Sequence, residues 1–293
     1  SRGRGLYFQS RISGSQIPVP PSPPTPFSIS LMASSSDETL FAAAVISLYA
    51  ASPLTILGLL FQTAPYGRHA RPGWGPSLPA AAAWFLMESP TIWLTLLLFP
   101  LGRHRSHPLA LAIVSLFLLH YLHRTLVYPL RLLGNKSRSG FPLSIAATAF
   151  SFNLLNAYIQ ARSVSHYAEY PPAGDVPGWV RARVAAGAAV FLWGMAVNVR
   201  SDLALLRLKE EAAGGYGVPR GGWFEVVSCP NYMGEAAEWL GWAAAASTPA
   251  ALGFFLYTCA NLVPRAAAHR RWYSDKFGSD YPASRKAIIP YVF

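Results

Sequence analysis

Long apolar runs separated by short polar stretches set the pattern of this chain. Residues 40–61 and 78–99 each run 22 positions with at most one charged side chain. At ~1.5 Å of rise per residue, a helix of that length crosses a hydrocarbon layer of roughly 30 Å. Five more runs, 109–128, 141–160, 184–199, 236–247 and 249–263, carry polar intrusions, and the last three rely on tilt or on continuation beyond the bilayer. The pattern predicts an all-α polytopic membrane protein with about seven transmembrane helices. Residues 1–37 read differently, because they lack an apolar h-region and contain IPVPPSPPTP, which cannot make regular helix. LYFQS, Leu6 to Ser10, resembles part of a protease-tag site. The expected division is a disordered proline-rich arm, 1–37, and a membrane domain, 38–293.

Composition agrees with that division. The chain is 52% hydrophobic and 13% charged, too oily for a usual soluble domain. The net charge of +11 raises the question of nucleic acid, but the basic residues sit in short loops between apolar runs, so no nucleic-acid partner is expected. Of the 24 Lys and Arg, 15 follow the first, third, fifth and seventh runs and 8 occupy the N-terminal arm and the other loops, which places the C-terminus in the cytosol. Two cysteines, Cys229 and Cys259, make no disulfide framework and lack metal-ligand spacing. No metal is expected.

Polar residues inside the apolar runs carry the candidate chemistry. WFLMESPTIWL puts Glu88 near the centre of the second run, where a charge costs ~2.5–3.5 kcal/mol unless it is paired or neutral. Two readings fit: a structural contact between helices, helped by the carbonyl that Pro90 frees, or chemistry in a cavity. LLHYLHRTLVY gathers His120, Tyr121, His123, Arg124 and Tyr128 within about two helical turns. An interfacial aromatic and basic belt accounts for some of that density, and a zinc site from the two histidines lacks any supporting motif. Asn198 with Asp202, and Asn231 with Glu235, repeat an i, i+4 amide and carboxylate pair, with Glu238 one turn further along. Such pairs either cap helix ends or line a hydrogen-bonding pocket. The tail beginning PRAAAHRRWYSDKFG brings Arg265, His269, Arg270, Tyr273 and Arg285, and basic tails next to a membrane often bind only lipid headgroups. GGYGVPRGG is neither a GxGxxG turn nor a phosphate loop, so a dinucleotide would be gripped by helices and loops rather than by a Rossmann domain.

In their order, AAWFLMESP, LHYLHRTLVYP, NVRSD, PRGGWFEVVSCPNYMGEAAEWLGW and DYPASRKAIIP resemble the steroid 5α-reductase family, most closely its plant members. The likeness runs from PYGRHA at Pro65 to the terminal SRKAIIPYVF and leaves out the proline-rich arm. Animal members commonly carry an amide where this chain has Met87, the loop after Tyr128 is longer than in many of them, and Lys209 stands where some relatives have arginine. The resemblance implies NADPH-dependent reduction of the C4=C5 bond of a 3-oxo-4-ene sterol in brassinosteroid synthesis, in the endoplasmic reticulum membrane. It implies that Tyr121 and Glu88 hold the ketone oxygen while hydride reaches C5. It also implies that Tyr128, Asn198, Asp202, Asn231, Glu235, Arg265, His269, Tyr273 and Arg285 bind NADPH. A carboxyl is then tolerated in lipid because it is neutral and hydrogen-bonded. The competing readings are an enoyl-CoA or polyprenol reductase of the same superfamily and a proton-coupled transporter using Glu88. The preferred sterol and the oligomeric state are not legible in the chain.

Overall fold

A computed structural model describes residues 26–134, 140–212 and 215–293, with side chains from residue 36 onwards. Two compact units partition the chain, Ser1–Leu40 and Phe41–Phe293, and the contacts below all lie in the second. The fold is predominantly helical. Helix α1 covers Pro26–Phe61, beginning well before the residue 40 expected of the first run. The remainder of the arm, 1–25, and two of the counted loop cations, Lys136 and Arg138, lie outside the described residues.

Among the described residues, four stretches are helical, long and apolar enough to cross a membrane: Ser36–Phe61, Ala80–Leu101, Pro108–Leu133 and Gly178–Glu211. They coincide with the first, second, third and fifth runs. The other three runs are also helical, within α6 (Leu143–Arg162), α8 (Pro230–Ala246) and α9 (Pro249–Phe277). Amides, alanines and glycines take the place of leucines there. Helix α7, Gly178–Glu211, outlasts the apolar run at 184–199, because RSDLALLRLKEE keeps good helix formers after the hydrophobic stretch ends. Helix α8 likewise starts at Pro230 rather than 236, with proline at the first turn, where its missing N–H is no loss.

Helices α7 and α8 approach so closely that backbone meets backbone. A methyl group on Gly234 would stand 2.5 Å from Asn198 N and 2.6 Å from Gly194 O, and one on Gly194 would stand 2.5 Å from Gly234 O. Gly187 and Gly241 make the same kind of crossing two turns away. Small residues at such spacing let helices pack where lipid offers no hydrophobic drive. This seam puts Asn198 and Asp202 beside Asn231 and Glu235. Elsewhere a two-stranded antiparallel ribbon, β1 (Ser77–Pro79) with β2 (Gly140–Pro142), pairs Leu78 with Phe141 and Pro79 with Gly140. It ties the start of α2 (Ala80–Glu88) to the start of α6. After α9 the chain turns back, and Ser228 N and Cys229 N donate to Lys286 O and Ala287 O at 2.7 and 3.1 Å.

Gly234→Ala is expected to cost about 1–3 kcal/mol, as overpacking does. It should be read as a lower Tm in detergent, whereas Gly58→Ala, inside α1 with nothing within 4 Å of the new methyl, should hold or raise Tm, because alanine favours helix over glycine.

Candidate active site

Pro90 breaks the second run into α2 and α3 (Pro90–Leu98). A proline there has no N–H for the carbonyl four residues back, and side chains take over the carbonyls of this turn. Ser89 Oγ donates to Leu86 O at 3.0 Å, Asn153 Nδ2 donates to Met87 O at 2.6 Å, and Thr91 Oγ1 donates to Glu88 O. The same Asn153 amide donates to Glu88 Oε2 at 3.1 Å. Three residues on, Asn156 Nδ2 lies 3.4 Å from Tyr121 OH, and Gln160 one turn further donates to Asn156 Oδ1 at 3.2 Å. One face of α6 is thus an amide ladder that holds both predicted catalytic side chains.

The third run is α4 (Pro108–Leu122), one π-helical turn (His123–Val127) and α5 (Tyr128–Gly134), longer than the 109–128 expected. The wider turn carries Arg124, 9% exposed. Its Nη1 donates to Asp202 Oδ2 at 3.1 Å, its Nη2 stands 3.9 Å from Glu235 Oε2, and its guanidinium stacks on Trp84 at 4.4 Å and on Tyr128 at 5.2 Å. Asn231 Nδ2 donates to Asp202 Oδ1 at 3.0 Å, and Asn198 Nδ2 donates to Asn231 O at 3.0 Å. The two amide and carboxylate pairs therefore form one network around a buried arginine. The histidines do not converge on a metal: His120 Nδ1 lies 3.0 Å from Glu238 Oε1, while His123 Nε2 accepts from Arg131 Nη1 at 3.2 Å.

A basic, aromatic end completes the site. Arg265 lies over Tyr66 at 4.9 Å and Tyr232 at 5.2 Å, and Arg68 over Tyr273 at 4.4 Å. His269 is shared between His69 and Tyr232, each at 3.1 Å. Burial, then the neighbouring Arg68, Arg265 and His69, hold the His269 imidazole well below the usual histidine range. His69 is depressed to about 4 by burial and then by Arg68 and Arg265. Arg68 Nη1 is buried with no acceptor among the described residues. That orphaned donor between arginine and tyrosine rings fits a phosphate group.

These parts line a single cavity of about 520 Å³, a size usual for small-molecule sites. Glu88, Tyr121, Tyr128, Asp202, Asn231, Glu235, Arg265, His269 and Tyr273 all reach its wall. Asn198 does not, and stands behind, bonded to Asn231 and Glu235. Arg285 is also away from the wall, fully buried, donating to Pro219 O at 2.8 Å and to Glu225 Oε2 at 3.2 Å. Met87, Phe141, Ile145, Phe152, Trp239 and Phe254 make the apolar part. Sequence reasoning passed over Arg68, Trp84, Asn153 and Asn156. The signal for the last two was NLLNAYIQ, three amides at i, i+3 and i+7 within an apolar run.

Similarity to known proteins follows the same residues. The family model for 3-oxo-5-alpha-steroid 4-dehydrogenase matches residues 139–293. The chain is 54% identical over 260 residues to steroid 5-alpha-reductase DET2 of Arabidopsis thaliana, spanning 88% of this chain and 98% of that one. It is 52% identical over 259 residues to the DET2 of Gossypium hirsutum, spanning 88% and 99%. To human 3-oxo-5-alpha-steroid 4-dehydrogenase 1 it is 40% identical over 232 residues, spanning 78% and 86%.

Arg124→Met leaves Asp202 and Glu235 without their cation and should destabilise the protein by about 3–5 kcal/mol, with Asp202→Asn in the same chain restoring part of the loss in detergent unfolding. The depressed His69 gives a second expectation. Its folded-state value lies below the unfolded value of 6.5, so the stability it contributes is complete above pH 6.5 and is lost as pH falls toward about 4. Tm measured across that window should fall less steeply in His69→Gln.

Proposed function

The chain belongs to the steroid 5α-reductase family, and we propose that it reduces the C4=C5 bond of a 3-oxo-4-ene plant sterol with NADPH, as a step of brassinosteroid synthesis. The observation that carries this reading is the amide ladder. Asn153 donates to one oxygen of Glu88, which leaves the other oxygen of a neutral carboxyl as an O–H facing the cavity. Asn156 approaches the Tyr121 oxygen as a donor, so the phenol proton is free to point at substrate. Two O–H donors then meet the C3 oxygen of an enone, where negative charge develops when C5 is reduced. Pre-aimed donors in a water-poor site lower that barrier without reorganising. Transport has less support, because Glu88 is held in place by the Asn153 amide.

NADPH, when bound, supplies the hydride. The residues that suit it run from the carboxylate and amide cluster of Asp202, Asn231 and Glu235 to the basic end of Arg68, Arg265, His269 and Tyr273, with Tyr128 between. Amides and carboxylates match ribose hydroxyls and carboxamide, and guanidinium groups match phosphates, including the 2′-phosphate. Asn198 acts by orienting Asn231 and Glu235. Arg285 acts by holding the 219–225 segment to the tail. The apolar wall suits a flat sterol arriving from lipid.

The domain reading is a seven-helix membrane unit from residue 38 onward, in the endoplasmic reticulum, with the C-terminus in the cytosol. The cationic end of the cavity draws on Arg68, ahead of α2, and on Arg265 and His269, late in α9, and the excess of Lys and Arg in those segments supports a cytosolic position, where NADPH is available. Protein reconstituted in vesicles should convert a campesterol-derived 4-en-3-one to its 5α-dihydro product with NADPH, read by mass spectrometry. Glu88→Gln and Tyr121→Phe should each lower kcat about 100-fold or more, with NADPH affinity measured by fluorescence changing little. Reduction of an enoyl-CoA alone, or solute accumulation without NADPH oxidation, contradicts the proposal.

A further inference from the structure

Glu238 is a buried acid that the reading above does not use. It is fully buried in α8, beside Trp239, and one oxygen has a single partner, His120 Nδ1 at 3.0 Å. The other oxygen, Oε2, has no hydrogen-bond partner among the described residues. Burying a carboxylate with an unpaired oxygen is costly. The cost is far lower if Glu238 is a neutral acid whose O–H faces the imidazole and whose carbonyl oxygen is left unpaired. His120 in turn lines the same cavity as Tyr121 and Glu88, its ring edge-on to Tyr121 at 5.0 Å and to Trp239 at 4.6 Å. With Nδ1 taken by Glu238, Nε2 is the ring nitrogen left for the cavity. The charged groups that act on the pair are Arg124 from the third run, Asp202 from α7 and Glu235 from α8.

Reduction of C4=C5 needs a proton at C4 as well as a hydride at C5. Tyr121 and Glu88 are committed to the ketone oxygen. Resting on the sterol-reductase reading, we infer that His120, recharged by Glu238, supplies that proton. As the C4=C5 π pair moves toward the ketone, the enolate takes the Nε2 proton at C4. Glu238 passes its own proton to Nδ1, so the ring ends neutral and the negative charge ends on the Glu238 carboxylate, where Arg124 tempers the opposing charges of Glu235 and Asp202. After the product leaves, water in the cavity protonates His120 Nε2 and the Nδ1 proton returns to Glu238, which restores the starting pair. His120 is the group facing the substrate, and Glu238 acts through it.

Three measurements on reconstituted protein test this. First, wild type must reduce the 4-en-3-one; if it reduces none, the sterol-reductase reading fails and takes this inference with it. Second, in active preparations Glu238→Gln and His120→Gln should each lower kcat about 100-fold, with both KM values within about twofold. The solvent deuterium isotope effect on kcat should rise above that of wild type. Third, without NADPH or sterol, the infrared spectrum of wild type should show a neutral carboxyl band that Glu238→Gln lacks. A kcat loss with an unchanged isotope effect, no kcat loss, or no missing band overturns the relay while leaving the reductase reading in place. If neither variant folds, the pair is structural and the relay is equally overturned.

Discussion

A guanidinium taken out of water has to be surrounded by acceptors, and Arg124 shows what that requirement imposes on this fold. Its carboxylate partners come from two other helices, Asp202 on α7 and Glu235 on α8, while Trp84 on α2 covers one of its faces. A lysine at that position would satisfy the charge but not the fork and the stack together. Both acids arrive at one place only because Gly194 and Gly234 let α7 and α8 touch through their backbones. The arginine, the two acids and the glycine seam therefore stand or fall together, and the polar half of the cavity is built on them.

The other half depends on α6. Its Asn153 satisfies Met87 O beside the Pro90 break and, from the same side, bonds one oxygen of Glu88, while Asn156 approaches that of Tyr121. A break in one helix thus becomes an attachment point for its neighbour. The break leaves Ser89 in right-handed helical geometry, so α2 and α3 run on with only local rearrangement of hydrogen bonds.

Much of this was legible in the chain, for physical reasons that differ from element to element. Lipid thickness imposes a length on any apolar helix, so the runs around residues 50, 90, 120 and 190 could be read directly. The three others are helical as expected, yet their amides and small residues serve helix contacts and the cavity, which dilutes the apolar signal. The pairs Asn198 with Asp202 and Asn231 with Glu235 were readable because i, i+4 spacing shares a face. Spacing does not say which face looks inward: Asn231 reaches the cavity, whereas Asn198 supports it from behind. Arg285 illustrates the limit of motif matching, since a resemblance marks the position but not the direction of the side chain, and here that direction is toward Pro219 and Glu225. The π turn at His123–Val127, which carries Arg124, had no residue signature in the apolar pattern.

The short ribbon of β1 and β2 has a consequence for how the site tolerates change in length. It clamps the first residues of α2 and α6 in register, Pro79 against Gly140, and Glu88 and Asn153 are then placed by counting turns along two separate helices from that common origin. Each residue added between clamp and side chain rotates everything beyond it by about 100°. An insertion or deletion within either helix would therefore part Glu88 from Asn153 unless it came in matched helical turns, whereas loops outside the ribbon can change length without moving the pair.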